Sequence, residues 1–151
     1  GVIGWLPDLN KWAGVIQHFL EPGGKFIIAE FHPVVWMFDN DFKKIEYSYF
    51  NERPIRELEE GTYADKNAPL QMESITWNHS LSEVMQSLMQ HGIEITDFKE
   101  YDYSPYNCFN ETIEIEPGKF NIKNLQHKIP MTYSITGQKK KATPWNESAN
   151  F

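Results

Sequence analysis

The sequence has a single cysteine, few basic residues and no long apolar run, and each shortage excludes a class of protein. Cys108 alone cannot build a disulfide framework or a thiolate metal cluster. The 14 Lys and Arg residues are outnumbered by 21 Asp and Glu, and the net charge of −7 argues against nonspecific binding to nucleic acid or anionic membranes. No apolar stretch approaches the ~20 residues of a transmembrane helix. We therefore expect no metal site, no nucleic-acid partner and no membrane span.

The composition otherwise fits one globular domain. The chain has 151 residues, of which 40% are hydrophobic and 15% aromatic, and this apolar content is too high for a disordered protein. The chain opens on Gly1 within apolar sequence, and not on Met. We therefore expect it to be a fragment of a longer protein.

The first thirty residues predict a helix followed by a strand. Asp8 suits the N-cap of a helix, and the turn Pro22-Gly23-Gly24 suits its end. Between them, apolar residues recur at three-to-four spacing on one face, namely Leu9, Trp12, Ala13, Ile16, Phe19 and Leu20. The short apolar run 26–29 then predicts a strand that is covered on both faces. The carboxyl ends of strands in open α/β sheets form ligand crevices, so we expect Glu30 and His32 to lie near a site.

Segment 34–79 is the least regular part of the sequence and is rich in aromatic residues. Alternation around Ile45, Tyr47 and Tyr49 favours a strand, and the polar stretch 51–71 indicates a long loop. A long insertion beside a crevice is typical of a lid or a substrate-binding element. The alternative is a hairpin that only covers the domain against solvent.

The last half of the sequence predicts one helix and several strands. Ser80 and Glu83 form a capping box that begins a helix over 80–92, which Gly92 ends. Strands are predicted at 93–103 and 131–137, a small hairpin at 112–120, and a disordered tail at 138–151.

The run Leu20-Glu21-Pro22-Gly23-Gly24 and the apolar strand after it resemble the second half of a class I S-adenosylmethionine-dependent methyltransferase. In that family, a loop after the fourth strand leads into a helix, then a Pro-Gly-Gly turn, then the fifth strand. The resemblance implies an α/β fold. Residues 1–137 would be the C-terminal part of a Rossmann-like methyltransferase sheet, with strands five to seven, flanking helices and an inserted β-rich acceptor-side segment. It further implies that 25–31, 93–103 and 131–137 share one sheet, with 131–137 central and antiparallel to the others.

The same resemblance implies a cytoplasmic enzyme that uses S-adenosylmethionine to methylate a small molecule. The family's glycine-rich donor loop is absent from this sequence. By position, the donor's methionine part would be flanked by Gly1, Val2, Ile3, Gly4 and Trp5. Alternatively, Trp5 simply packs against the start of the helix. We expect the isolated chain to bind the donor poorly, to be inactive and to fray over residues 1–5.

The acceptor side is predicted from residues after the fifth strand. His32 could act as a base, because imidazole titrates near neutrality, or it could support the turn through hydrogen bonds. Glu30 could bind a cationic acceptor or lie solvated at the strand end. Aromatic faces stabilise cations, and an acceptor pocket could be lined by Trp36, Tyr47, Tyr49, Tyr63 and Trp77, although core packing is the alternative for each.

Two further expectations concern partners. The free edge of the fifth strand is expected to favour a homodimer, because unpaired strand edges associate. The alternative function, from another class, is a non-enzymatic α+β binding module whose hairpins and two helices enclose a small apolar ligand.

Overall fold

A computed structural model describes residues 1–60 and 69–141, with Glu59 and Glu60 as backbone only. The elements, in chain order, are a 3₁₀ turn (Ile3–Trp5), α1 (Leu9–Phe19), β1 (Lys25–Phe31), a second 3₁₀ turn (Val35–Met37), β2 (Ile55–Glu60), β3 (Gln71–Thr76), α2 (Leu81–Gln90), β4 (Ile93–Tyr101), β5 (Thr112–Glu116), β6 (Lys119–Ile122) and β7 (Thr132–Lys139). Described helices are too short and too polar to cross a bilayer.

The main sheet has the strand order β1-β7-β4, and both pairings are antiparallel. This confirms the predicted sheet, with the last strand between the other two. In the register, Ile28 lies opposite Ile135, which in turn lies opposite Phe98. β4 ends at Tyr101, earlier than predicted. β7 continues to Lys139, so the predicted tail was wrong at its first two positions, and 142–151 lie outside the described residues.

Both helices lie on one face of this sheet and bury its core. The buried cluster consists of Ile3, Leu9, Ala13, Val84, Leu88, Ile93, Tyr133 and Ile135. The opposite face of β1 is not buried, since the Ile27 side chain is 69% exposed. The prediction that β1 is covered on both faces was therefore wrong. An apolar run indicates a strand but does not show that a second layer packs on it.

The helix ends follow the sequence signals. The Asp8 side chain accepts the amide hydrogen of Lys11 at 3.0 Å, and Gly23 adopts a positive φ of 82° in the turn before β1. At the start of α2, the Ser80 hydroxyl accepts the amide hydrogen of Glu83 at 3.2 Å. That confirms one half of the capping box. The Glu83 carboxylate has another role, because it lies 2.9 Å from Nδ1 of His79.

Two predictions for segment 34–79 were wrong. Residues 45–50 form no strand, and only Ile45 makes an isolated bridge, to Phe38. Residues 55–60, predicted as loop, form β2 and pair antiparallel with β3. The amides of Glu46 and Tyr47 both donate to the carbonyl of Met37, which turns the chain there and prevents a ladder.

The region between β4 and β7 forms a second, smaller core. Strands β5 and β6 pair as the predicted hairpin, with Gly118 at a φ of 72° in its turn. Val35, Ile122 and Met131 are buried together there, against partly buried apolar side chains from 42 to 129. Segment 34–50 is thus anchored beside β1 through Val35.

Candidate functional site

The N-terminal segment is fixed against the end of β1. The Glu30 carboxylate is buried and accepts the amide hydrogens of Val2 at 2.6 Å and Ile3 at 3.4 Å. Its other oxygen lies 3.7 Å from the amino group of Gly1. The amide of Trp77 donates to the carbonyl of Gly4 at 2.8 Å. The premise that nothing ties residues 1–5 down was therefore wrong, because this segment bonds to both β1 and the residue after β3. The expected fraying itself stays a prediction, and these bonds weigh against it.

A cavity of about 420 Å³ opens between this segment, the end of β1, the turn after it and the β2–β3 pair. Its lining is dominated by aromatic side chains: Trp5, Phe31, Trp36, Phe38, Tyr47, Trp77 and Tyr133. The charged side chains among its described lining residues are the carboxylates Glu30 and Glu57, and the imidazole of His79 also lines it. An aromatic and acidic lining is suited to a neutral or cationic ligand and unsuited to an anion.

Several residues predicted from sequence do meet at this cavity. Gly1, Ile3, Gly4 and Trp5 form one wall, and Glu30, Trp36 and Trp77 lie on the others. Val2 is 61% exposed and does not line the cavity.

Two residues of the predicted acceptor side do not line the cavity or cannot be placed. Tyr49 lies outside the lining, and its hydroxyl accepts the amide hydrogen of Leu81 at the start of α2. Tyr63 lies outside the described residues.

His32 lies beneath the cavity and not in its wall. The ring is buried, Nε2 donates to the Glu100 carboxylate at 2.9 Å, and Nδ1 accepts the amide hydrogen of Val34 at 3.2 Å. Burial lowers the pKa of His32, and the neighbouring Glu100 opposes that shift. With both ring nitrogens engaged, no lone pair is directed at an acceptor. The catalytic role of His32 stays a prediction, and this geometry weighs against it.

Sequence reasoning did not identify Glu57 as part of the site. The Tyr47 hydroxyl donates to its carboxylate at 2.7 Å, and this bond raises the pKa of Tyr47 to about 12. Glu57 falls in the stretch predicted as loop. No signal in the sequence could have found it, because Ile55–Glu60 shows no alternation of apolar and polar residues that would indicate a strand.

Asn78 is the second residue that sequence reasoning missed. It is buried, and its Nδ2 donates both hydrogens, to the carbonyls of Pro33 at 3.1 Å and Ser48 at 2.9 Å. Those two acceptors fix the orientation of the amide. Its Oδ1 is buried and has no hydrogen-bond partner among the described residues. Asn78 thus joins two loops and belongs to the residues that line the cavity, while its Oδ1 lacks a partner among the described residues.

Tyr133 is the third missed residue. It is 1% exposed, and its hydroxyl has no partner among the described residues. Burial, and then the Glu30 carboxylate, raise the pKa of Tyr133, so the hydroxyl is neutral. Its position opposite Glu30 in the β1–β7 register brings it to the cavity. Buried polar groups are normally bonded, so two unpartnered ones on residues that line a single cavity make that cavity a candidate ligand site.

His79 links the wall of the cavity to α2. Its Nε2 donates to the carbonyl of Leu6 at 2.8 Å, and its Nδ1 lies 2.9 Å from the Glu83 carboxylate. The ring therefore joins the N-terminal segment to α2. The described residues contain no cluster of three His, Cys, Asp or Glu side chains that could hold a metal ion.

S-adenosylmethionine fits this site only in part. Its carboxylate, ammonium and ribose need several fixed polar partners. The amides of Val2 and Ile3 are already bonded to Glu30, and the carbonyl of Gly4 to Trp77. What the segment offers to a ligand is an apolar wall, with Trp5 57% exposed.

Comparison with known proteins shows the fold. No family model matches the chain, and no curated protein matches it. A candidate S-adenosylmethionine-dependent methyltransferase from Listeria monocytogenes superposes with a TM-score of 0.59 at 17% identity, over 93% of this chain and 59% of that one. An S-adenosylmethionine-dependent methyltransferase from Mesorhizobium loti superposes with a TM-score of 0.50 at 12% identity, over 91% of this chain and 58% of that one.

The chain therefore has the α/β fold of class I S-adenosylmethionine-dependent methyltransferases. It spans less than two thirds of either solved protein.

Proposed function

We propose that the protein is an S-adenosylmethionine-dependent methyltransferase, located in the cytoplasm, that acts on a small molecule bound in the 420 Å³ cavity. The observation that carries the proposal is the match of fold over 93% of the chain to a candidate enzyme of this type. Its support from the site is the meeting of the N-terminal segment, the end of β1 and the β2–β3 pair around one cavity.

In this proposal, β1, β4 and β7 correspond to the fifth, sixth and seventh strands of the methyltransferase sheet. The order β1-β7-β4, with the last strand between the other two, supports that correspondence. Segment 34–79 is then the acceptor-side insertion, since it supplies Trp36, Glu57 and Trp77 to the cavity.

The donor supplies an activated methyl group on a sulfonium, so the protein's contribution is mainly position and alignment. Within this chain, residues 1–5 would form the wall beside the reacting methyl group, with Trp5 as the largest contact. The acceptor would lie between Trp36 and Trp77, the two indoles of the cavity wall contributed by the insertion. Glu30 would hold the two parts together, because it fixes the segment to the strand end.

Titration calorimetry with S-adenosylmethionine tests the proposal. The chain alone should give no saturable heat, because each unpartnered polar group of the donor costs about 1–3 kcal/mol when buried. The chain expressed with whatever coding sequence precedes residue 1 should bind, and Trp5→Ala should weaken that binding by about tenfold.

Phe50→Ala is the matched control, since Phe50 is an exposed aromatic that does not line the cavity. Tight donor binding by the chain alone would place the donor pocket wholly within these residues. Absence of binding in the longer form contradicts the proposed function.

A second candidate function is a non-enzymatic module that binds a small ligand. The Oδ1 of Asn78 and the hydroxyl of Tyr133, which both lack a hydrogen-bond partner among the described residues, favour it, because a polar ligand other than a methyl donor would satisfy them. Ligand binding without donor binding in the longer form would decide for this module.

A further inference from the structure

We infer that the cavity selects a primary or secondary amine, in its ammonium form, attached to an apolar or aromatic body. As a statement about the methyl acceptor, this rests on the proposed function. As a statement about what the cavity binds, it rests on three observations: the orientation of Asn78, the charge of the lining and its aromatic content. The unpartnered Tyr133 hydroxyl supplies a variant that tests it.

The first observation is the orientation of Asn78. Both hydrogens of its Nδ2 are used by the carbonyls of Pro33 and Ser48, so the amide cannot turn around to present a donor. Its buried Oδ1 can only accept. A ligand group that reaches this oxygen would have to carry an N–H or O–H, and a carboxylate or phosphate oxygen cannot replace one.

The second observation is the charge of the lining. Glu57 and Glu30 carry carboxylates, and the described lining has no Lys or Arg side chain. The Glu30 carboxylate accepts the amides of Val2 and Ile3 and lies 3.7 Å from the Gly1 amino group, so Glu57 is the carboxylate that remains for a ligand. The nitrogens of His79 face the Leu6 carbonyl and the Glu83 carboxylate, so neither nitrogen is available to a ligand. The remaining field is negative. It favours a cationic ligand over a neutral one and repels an anion.

The third observation is the aromatic content. Trp36 is 43% exposed at the cavity, and Trp77 is half-buried beside it. Aromatic faces attract ammonium groups and also bury apolar carbon. The cavity volume of about 420 Å³ admits a small ligand with one ring. Together, these features match a ligand that has a cationic group with several N–H hydrogen-bond donors, attached to an apolar body.

The test uses three probes that share one phenyl-alkyl body: 2-phenylethylamine, 2-phenylethanol and 3-phenylpropanoate. Each is titrated at pH 7 into the 151-residue chain, with tryptophan fluorescence and amide chemical shifts as readouts. The amine should bind about tenfold tighter than the alcohol, and the carboxylate weakest. Equal affinities, tightest binding of the carboxylate, or no binding of any probe overturns the inference.

Two variants locate the effect. Glu57→Gln keeps an acceptor for the Tyr47 hydroxyl but removes the charge, and it should abolish most of the preference for the amine. Tyr133→Phe removes a hydroxyl that has no protein partner. It should weaken amine binding several-fold while leaving the melting temperature unchanged or raised, because an unsatisfied buried group is lost.

Matched controls are Glu94→Gln, an exposed acid of β4, and Tyr101→Phe, whose hydroxyl lies near Ser134 and outside this cavity. Neither should change the preference, and equal losses in variants and controls overturn the inference. Amine preference in a protein whose longer form binds no S-adenosylmethionine leaves this inference standing and removes the proposed function. Donor binding by the longer form without a preference for the amine overturns this inference and leaves the proposed function standing.

Discussion

The sheet with its two helices and the wall of the cavity are held by different kinds of contact. Around the sheet, apolar residues at regular spacing bury one another, as Ala13, Leu88 and Ile135 do. In the cavity wall, single polar side chains join segments far apart in sequence. His79 reaches the Leu6 carbonyl, 73 residues away, and Asn78 reaches that of Pro33, 45 residues away. The first region is specified by local pattern, and the second by a few long-range hydrogen bonds.

The largest effect is expected in the first region. Leu88 is fully buried on α2, and Leu88→Ala should lower the free energy of unfolding by about 2–5 kcal/mol through lost burial and the cavity left behind. Urea denaturation measures it. Met89→Ala, one position along and 52% exposed, is the control and should change stability by less than about 1 kcal/mol. Equal losses would show that the two faces of α2 do not differ.

The second region should respond to loss of one amide. Asn78→Ala leaves the carbonyls of Pro33 and Ser48 without their donor and should cost about 1–3 kcal/mol. The loss should be local, so hydrogen exchange should quicken over 33–50 more than in β7. Asn110→Ala, at an exposed amide, is the control. Uniformly faster exchange throughout the chain would contradict the distinction between the regions.

The pH dependence of stability tests His32, which follows β1 at the point where the sheet meets the cavity wall. Burial lowers the pKa of His32 in the folded protein, below the value of about 6.5 in the unfolded chain. The unfolded chain therefore takes up the proton first as the pH falls. The contribution of His32 to the free energy of unfolding is therefore fully present above about pH 6.5. It is lost as the pH falls through the pKa of His32 in the folded protein.

Urea midpoints across pH 5–8 check the His32 prediction. His32→Gln should make the urea midpoint depend less on pH, whereas His127→Gln, at an exposed ring, should leave that dependence unchanged. An unchanged slope in the His32 variant would assign the dependence to other groups.

The smallest expected change in stability concerns the open face and edge of β1. We propose that the chain forms a homodimer there, because β1 pairs only with β7 among the described strands and Ile27 is 69% exposed. Ile27→Lys should shift sedimentation toward monomer while changing stability by less than about 0.5 kcal/mol. Thr96→Lys, on the other edge strand, is the control. A monomeric parent protein contradicts the proposal.

The sequence predicted the sheet and helices well because their signals are local. The Asp8 cap and the Gly23 turn were both confirmed. The order of the three strands was also confirmed, but that prediction came from the family resemblance and not from a local signal. It failed where burial or pairing depends on distant residues. The exposure of Ile27 depends on what packs above it, and β2 is a strand because β3 pairs with it.

The candidate site was predicted in part. Glu30, Trp36 and Trp77 were placed near it by position and residue type, and the cavity includes them. Asn78 and Tyr133 were not found, because their importance lies in atoms left without partners once everything around them has folded. No periodicity in the sequence indicates that a buried polar atom will lack a hydrogen-bond partner.

Strand β7 lies at the centre of its sheet, yet it is the last of the described strands to be synthesised. Gly23 and Gln138 are joined by a hydrogen bond across 115 residues, so β1 and β4 must wait for a common neighbour. During translation, α1 and α2 can form early, while β1 and β4 lack the strand that pairs with both until 132–139 leave the ribosome. Long-range pairing of this kind slows folding, and the waiting strand is prone to aggregate. We expect the nascent chain to need a chaperone for longer than its modest size suggests.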